Sequence, residues 1–352
     1  MGHKRRPTMA DVAEKAGVSL STVSLTFSGA GPITDETKGR VERAAAELGY
    51  NGPSPLAKSL RSGRSHIVGL VLNERLSSSF RDPYALRVID GVVASLGDLA
   101  LGVLLIPSPS GEPDELPLLE TAPIDAAIVM RVRDHDDPSL EILRKRGIPV
   151  VVMEGPAPGG AGSVTIDDRQ ATAELIRHLV TLGHERIATV TLPFDVRRET
   201  EILTPDRYSE ANWTPTKNRL TAFAEAGIEP CVVVEARASM VEEGIAGGHL
   251  ALSHPSRPTA IVCQSDLLAA GVILAARELD IQVPYDVSVT GFDGLDLPWL
   301  APLEITTIIQ DGALKGSLLA AEVQALLEGN SPEPVVMPVT LRIGTTTAHA
   351  PK

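Results

Sequence analysis

From Ile67 onward the chain alternates short runs rich in β-branched residues with stretches of helical periodicity, and this alternation restricts its fold more than any other feature. The runs HIVGLVL (66–72), GVLLI (102–106), AAIVM (126–130), PVVVM (149–153), RIATVTL (186–192), CVVVE (231–235), TAIVCQ (259–264) and VSVTGF (287–292) read as strands. Helical patterns lie between them, as at 171–182 and 267–279. Strands apolar at nearly every position are buried on both faces, which requires parallel sheets covered by crossover helices. One sheet would not hold them all, and 352 residues exceed what a single core supports. Two or three domains are therefore expected.

The first 65 residues follow a different pattern. TMADVAEKAGVSLSTVSLTFSG packs two short helices and a glycine turn into about twenty residues, the layout of a helix-turn-helix. Thr8 followed by Asp11 reads as a capping box, Gly17 supplies the turn, and Ser19 caps the second helix. Val12, Ala13, Val18, Val23 and Phe27 recur at helical spacing and predict a small core. Thr34 caps a third helix, with Asp35 and Glu36 in its first turn, and Gly49 ends it. Charge separates the same way: residues 1–64 hold ten Lys/Arg against six Asp/Glu, so a chain of net −13 carries +4 here and −17 beyond. A basic head on an acidic body confines phosphate attraction to one end, and a helix-turn-helix places its second helix in the DNA major groove.

The stretch AGVSLSTVSLTFSGAGPITDETKGRVERAAAELGY resembles the lac repressor/galactose repressor (LacI/GalR) family, and the resemblance continues to the C-terminus. It implies an α/β protein with an all-α helix-turn-helix head and a periplasmic-binding-protein-like core of two doubly wound parallel-sheet subdomains. The expected head covers 1–51, a hinge helix and linker 52–65, and an effector-binding and dimerisation core 66–352. Within the core, one subdomain is expected at about 66–165 and 310–332, the other at about 166–309 and 333–352. Crossings are expected near 165–168, 291–293 and 309–311, with a last strand near 335–343 in the second subdomain. By the resemblance, Leu20, Ser21 and Leu25 read bases, and Ser19, Thr8, Thr22, Ser24 and Thr34 join them at the DNA, chiefly as phosphate contacts. Leucine at position 25 replaces the family's commoner arginine, which removes a bidentate contact to guanine. Leu20 and Leu25 offer only apolar contact, for instance to thymine methyls; the alternative is that Leu25 turns into the head's core.

In the same family a hinge helix pairs with its dimer mate in the minor groove. The matching segment is 54–61, with Ala57 facing the partner helix, Leu60 wedging into a base step and Arg61 near the phosphates. Eight residues are too few for a stable isolated helix, so folding there would be coupled to docking. Asn51-Gly52 makes the approach one residue longer than the family norm.

Ligands of paired α/β sheets lie beyond the carboxyl ends of the strands. The resemblance carries the effector contacts onto Asp82 and Tyr84 after the first strand, Glu154 after PVVVM, and Arg219 in RLTAF. It also carries them onto Ser265-Asp266, where Asn-Asp is usual, and Asp293; Trp299 is a further candidate, either stacking on a sugar face or packing against the hinge. Carboxylates with an arginine suit a neutral polyol, accepting from and donating to vicinal hydroxyls. The long connection 192–218, with Tyr208 and Trp213, has no assigned role.

No GxSxG, HExxH, P-loop or strand–GxGxxG–helix pattern occurs, so no enzyme or cofactor is expected. His135 stands alone among acids, without metal-site spacing. Cys231 and Cys263 sit in apolar runs and read as buried thiols of a reducing compartment. No signal peptide or transmembrane run is present, so the expected location is cytoplasmic, with no membrane partner. The resulting expectation is a homodimeric repressor on a pseudo-palindromic DNA operator, released by a mono- or disaccharide. The alternatives are a purine-type co-repressor or an orphan regulator without effector response; a solute-binding protein and an α/β enzyme are rivals from other classes.

Overall fold

The computed structural model describes residues 7–29, 31–52, 63–72, 79–107, 117–134, 136–195 and 199–352. The expected hinge helix with Ala57, Leu60 and Arg61 lies outside these residues, as does His135. By internal contacts the chain divides into two compact units, Met1–His66 and Ile67–Lys352.

The first unit holds α1 (Met9–Ala16), α2 (Leu20–Ser28) and α3 (Asp35–Leu48). Thr8 caps α1 with both halves of a capping box, its backbone N–H donating to Asp11 Oδ2 at 2.7 Å. Gly17 ends α1 at φ 63°, a left-handed conformation that a Cβ resists. Ser19 and Thr34 cap α2 and α3 through their hydroxyls. The core is Val12, Ala13, Val23, Val41, Ala44 and Ala45, with Phe27 edge-on to Tyr50 at 5.4 Å.

The second unit begins with β1 (Ile67–Leu72), α4 (Pro83–Asp98), β2 (Gly102–Pro107), α5 (Pro117–Thr121), β3 (Ala126–Val129), α6 (Pro138–Arg146), β4 (Val150–Met153) and β5 (Gly162–Thr165). The chain then crosses to a second lobe: α7 (Asp168–Thr181), β6 (Ile187–Thr191), β7 (Glu201–Leu203), a 3₁₀ turn at Pro205–Glu210, α8 (Thr214–Glu225), β8 (Val233–Glu235), α9 (Val241–Leu252), β9 (Ala260–Cys263), α10 (Asp266–Glu278), β10 (Ser288–Asp293), a 3₁₀ turn at Pro298–Leu300 and β11 (Thr306–Ile309). It returns for α11 (Gly312–Leu327) and β12 (Val335–Val336), and crosses a last time into β13 (Thr340–Arg342). Among the described residues the sheet orders are β12-β5-β4-β3-β1-β2 and β13-β11-β10-β9-β6-β8-β7. Pairing is parallel except at β13 and β7, which run antiparallel on the edges of the second sheet. Every residue of β3, β4, β6 and β9 is buried, as strands covered on both faces must be.

Two expectations about the path are corrected. The single strand expected near 335–343 is two strands in different sheets: β12 extends the first sheet beside β5, and β13 pairs with β11 in the second. Pro338 has no N–H to extend a ladder, so the chain leaves the first sheet after Met337 bonds to Thr165 O. The expected crossing at 291–293 does not occur, because β10 runs through it and pairs in parallel with β11 of the same sheet. The actual crossings fall at 166–167, 310–311 and 337–339.

In each lobe, among the described residues, glycines let a helix pair come into backbone contact. A Cβ on Gly91 of α4 would lie 2.3 Å from Ala313 O, and one on Gly316 of α11 would lie 2.3 Å from Val88 O. In the second lobe, Gly271 of α10 stands in the same relation to Val241 O of α9. No described helix is long and apolar enough to cross a membrane.

Candidate functional site

The head's candidate reading surface is α2. Leu20 and Leu25 are 52% and 37% exposed, so Leu25 does not enter the head's core; its side chain turns toward Gly31 instead. Ser21 is exposed, and its hydroxyl lies 2.7 Å from that of Ser19, which in turn meets Thr22 Oγ1 at 2.8 Å. Thr8 and Thr34 are exposed caps, and Ser24 is half-buried. The helix therefore presents two apolar side chains and a cluster of hydroxyls, with no cation of its own.

In the second unit a cavity of about 120 Å³ opens between the lobes, walled by residues from the strand ends of both sheets. It brings together Asp82, Tyr84, Glu154, Arg219, Ser265 and Asp293. Asp82 caps α4, accepting from the N–H groups of Tyr84 and Ala85. Tyr84 donates its hydroxyl to Gln310 Oε1 at 2.6 Å. Gln310 donates to Asp293 Oδ1 at 2.7 Å, so its amide ties the first lobe to the second at a crossing. Lys315 of α11 donates to both Gln310 Oε1 (2.9 Å) and Glu154 Oε1, burying an ion pair on the first-lobe wall. Arg219 of α8 donates to Asp168 Oδ1 (2.7 Å) and Gln264 O (2.6 Å), with its guanidinium 3.5 Å from the Phe292 ring centroid.

The electrostatics follow from burial. Burial, reinforced by Asp82, pushes the Asp293 carboxyl well above the usual carboxylate range. Burial also opposes the charge on Lys315, but Glu154 and Tyr84 outweigh it and keep the ammonium protonated. Glu154 and Asp293 both hold positive φ (54° and 116°) without being glycine. Such strain persists only where surroundings over-determine it, and it concentrates at binding sites.

Two expected contacts are not on this wall. Asp266 is wholly buried beneath it, accepting from Leu295 N at 2.6 Å and so fixing the loop after β10. A Cβ on Gly291 would lie 2.1 Å from Asp266 Oδ1, which accounts for glycine at that position. Trp299 lies in the 3₁₀ turn Pro298–Leu300, 51% exposed and not among the residues that line the cavity. Residues not anticipated include Lys315, Gln310, Gln264, Ser239, Arg237, Arg131 and Trp213. Trp213 arrives through the 192–218 connection, which forms edge strand β7 and a 3₁₀ turn before presenting it at the start of α8. The segment after β3 also bridges the lobes: Asp134 accepts from Lys217 Nζ at 2.7 Å, and its N–H donates to Asn212 O.

Burial raises the Asp266 carboxyl to about 7, against the Leu295 N–H that favours its ionised form. An unfolded aspartate ionises near pH 4, so between about pH 4 and 7 the folded chain retains a proton that the unfolded chain has lost. Stability contributed by this group is full at low pH and falls as pH rises through that window. Asp266→Asn is expected to make the decline in Tm between pH 4.5 and 8 shallower; an unchanged slope would mean Asp266 ionises freely.

Residues 8–52 match the family model described as bacterial regulatory proteins, lacI family, and residues 176–347 match the periplasmic binding protein-like domain. An HTH-type transcriptional regulator of Mycobacterium tuberculosis is 33% identical over 322 residues, covering 89% of each chain. The ribose operon repressor of Escherichia coli is 29% identical, covering 86% of this chain and 88% of its own. The crystal structure of the lac repressor dimer bound to operator and the anti-inducer ONPF shares the fold, with a TM-score of 0.78 at 23% identity, covering 98% of this chain and 100% of that one.

Proposed function

Since the chain belongs to the lacI family of DNA-binding transcriptional regulators, which are not enzymes, we propose that it is a homodimeric cytoplasmic repressor of carbohydrate uptake or utilisation genes, released from its operator by a sugar held between the lobes. The observation that carries this reading is the cavity itself, where Asp82 and Asp293 from opposite lobes converge with Arg219 on one small space. The half-buried Asp82 carboxylate accepts hydrogen bonds, and the buried Asp293 carboxyl, pushed upward by burial, can both donate and accept; vicinal hydroxyls answer both and carry no charge of their own. A ligand donating to both lobes favours one angle between them, and only such differential affinity moves a conformational equilibrium. The ribose operon repressor among the relatives supports a carbohydrate effector.

The dimer is supported by Leu86 and Val93, seven residues apart on one face of α4, and Leu314 of the adjoining α11; all three are exposed. In such a dimer the exposed Leu20, Ser21 and Leu25 would read two half-sites, the hydroxyls of Thr8, Ser19, Thr22, Ser24 and Thr34 would set register, and the 54–61 segment would supply the Leu60 wedge between Ala57 and Arg61. The expected result is that a cognate mono- or disaccharide weakens operator binding in a mobility-shift titration. At a hundred times its Kd the same sugar adds about 2.7 kcal/mol to stability. A nucleobase that instead tightens operator binding would turn the reading to a purine-type co-repressor.

A further inference from the structure

A neutral sugar leaves one cation on the cavity wall without a purpose. Lys315 is matched to Glu154, Arg219 to Asp168 and Arg237 to Glu243. Arg131, which follows β3 and lines the same cavity, has no carboxylate partner among the described residues. Its guanidinium instead lies over the Trp213 indole, 5.5 Å from the ring centroid. Trp213 also lines the cavity, is 3% exposed, and its Nε1 has no acceptor.

These two neighbours lack the same thing. A guanidinium carries five donors and no acceptor, and an indole N–H is donor only. A buried donor without an acceptor is costly, and stacking fixes the guanidinium plane while leaving its edge free for a planar or tetrahedral oxyanion. A hydroxyl would answer the hydrogen-bonding need but not the charge. Asp82, whose negative charge helps push the Asp293 carboxyl upward, repels an anion, while Asp293 offers polar contact to hydroxyls, so an anionic group is favoured on the Arg131 side of the cavity.

We infer that the effector is an acidic sugar, a polyol bearing a phosphate or carboxylate, with its hydroxyls toward Asp82 and Asp293 and its anionic group against Arg131 and Trp213. The inference rests on the sugar reading above and names the class of sugar. Charge-assisted hydrogen bonds of this kind favour the acid over its neutral parent by about ten- to a hundredfold in Kd.

The test is thermal shift and calorimetric titration of the full chain with matched pairs: D-ribose and its 5-phosphate, D-glucose with its 6-phosphate and D-glucuronate, and myo-inositol with its 1-phosphate, together with inorganic phosphate alone. At least one acid is expected to bind ten- to a hundredfold more tightly than its neutral parent. Arg131→Gln should erase that difference, and Trp213→Phe, which keeps the ring but removes the N–H, should erase part of it. Neutral parents binding as tightly as their acids would overturn the inference and leave the sugar reading standing. Acid binding matched by inorganic phosphate and untouched by Arg131→Gln would overturn it as anion capture elsewhere. If neither class binds, the sugar reading fails and the acidic sugar falls with it.

Discussion

Replacing Lys315 with methionine is expected to destabilise the chain by about 3–5 kcal/mol. Methionine fills a similar volume, so the loss arises from charge rather than from a cavity. Lys315 is fully buried, and its ammonium is the group that Glu154 and the Gln310 carbonyl oxygen are arranged around. Without it, Glu154 is a carboxylate at 8% exposure that has lost its ion-pair partner, and burial, the largest influence on its proton affinity, pushes it further upward. The second half of the cycle separates this from a packing defect. Glu154→Gln combined with Lys315→Met removes both charges, and replacing a buried pair by neutral groups of like volume is often close to neutral. Urea denaturation should therefore place the double variant near the parent and the single variant far below, at similar slope. If both variants lose the same stability, the pair is not the source of the effect.

The second large effect is steric. Gly316→Ala is expected to cost about 3 kcal/mol, the upper end of the range for overpacking. The obstacle is Val88 O on the facing helix, which is backbone and has no rotamer by which to give way. Helices α4 and α11 must separate along their length, which disturbs the layer of Val88, Val92, Leu319, Ala320 and Val323 packed beneath. Gly97→Ala supplies the control, since it lies in the facing helix α4 with nothing within 4 Å of its would-be Cβ. There, added helix propensity predicts a neutral to slightly stabilising change. Equal falls in Tm for the two variants would remove close helix approach as the explanation.

Much of the architecture was legible because its cause is local. Apolar strand runs, Thr8, Ser19 and Thr34 as caps, and Gly17 and Gly49 at helix ends each follow from a few neighbouring residues, and each lies where the sequence predicts. What failed depended on partners distant in sequence. The segment 335–343 is mostly apolar, and only pairing with β5 on one side of Pro338 and β11 on the other divides it. Asp266 follows β9 and Asp293 ends β10, yet Asp266 is held beneath the wall, bonded to the Leu295 N–H, while Asp293 stays on it. Lys315 was the missed residue with a readable sign. It sits at the start of the apolar stripe Lys315, Leu319, Val323, four residues apart, and a lone lysine on a buried face requires a partner. Trp213 offered no such sign, because the path of the 192–218 connection decides where it ends.

The three passages between the lobes have a mechanical meaning. A single linker would let two bodies tumble independently, whereas three nearby tethers suppress sliding and separation and leave rotation as the low-cost motion. The glycine-locked helix pairs prevent either body from bending to absorb that rotation. Gln310, bonded to Tyr84 and Lys315 on one side and Asp293 on the other, stands in one of the tethers. A small molecule between the lobes thus acts on a device with very few degrees of freedom, and whatever angle it selects must be transmitted whole to any surface the first lobe presents.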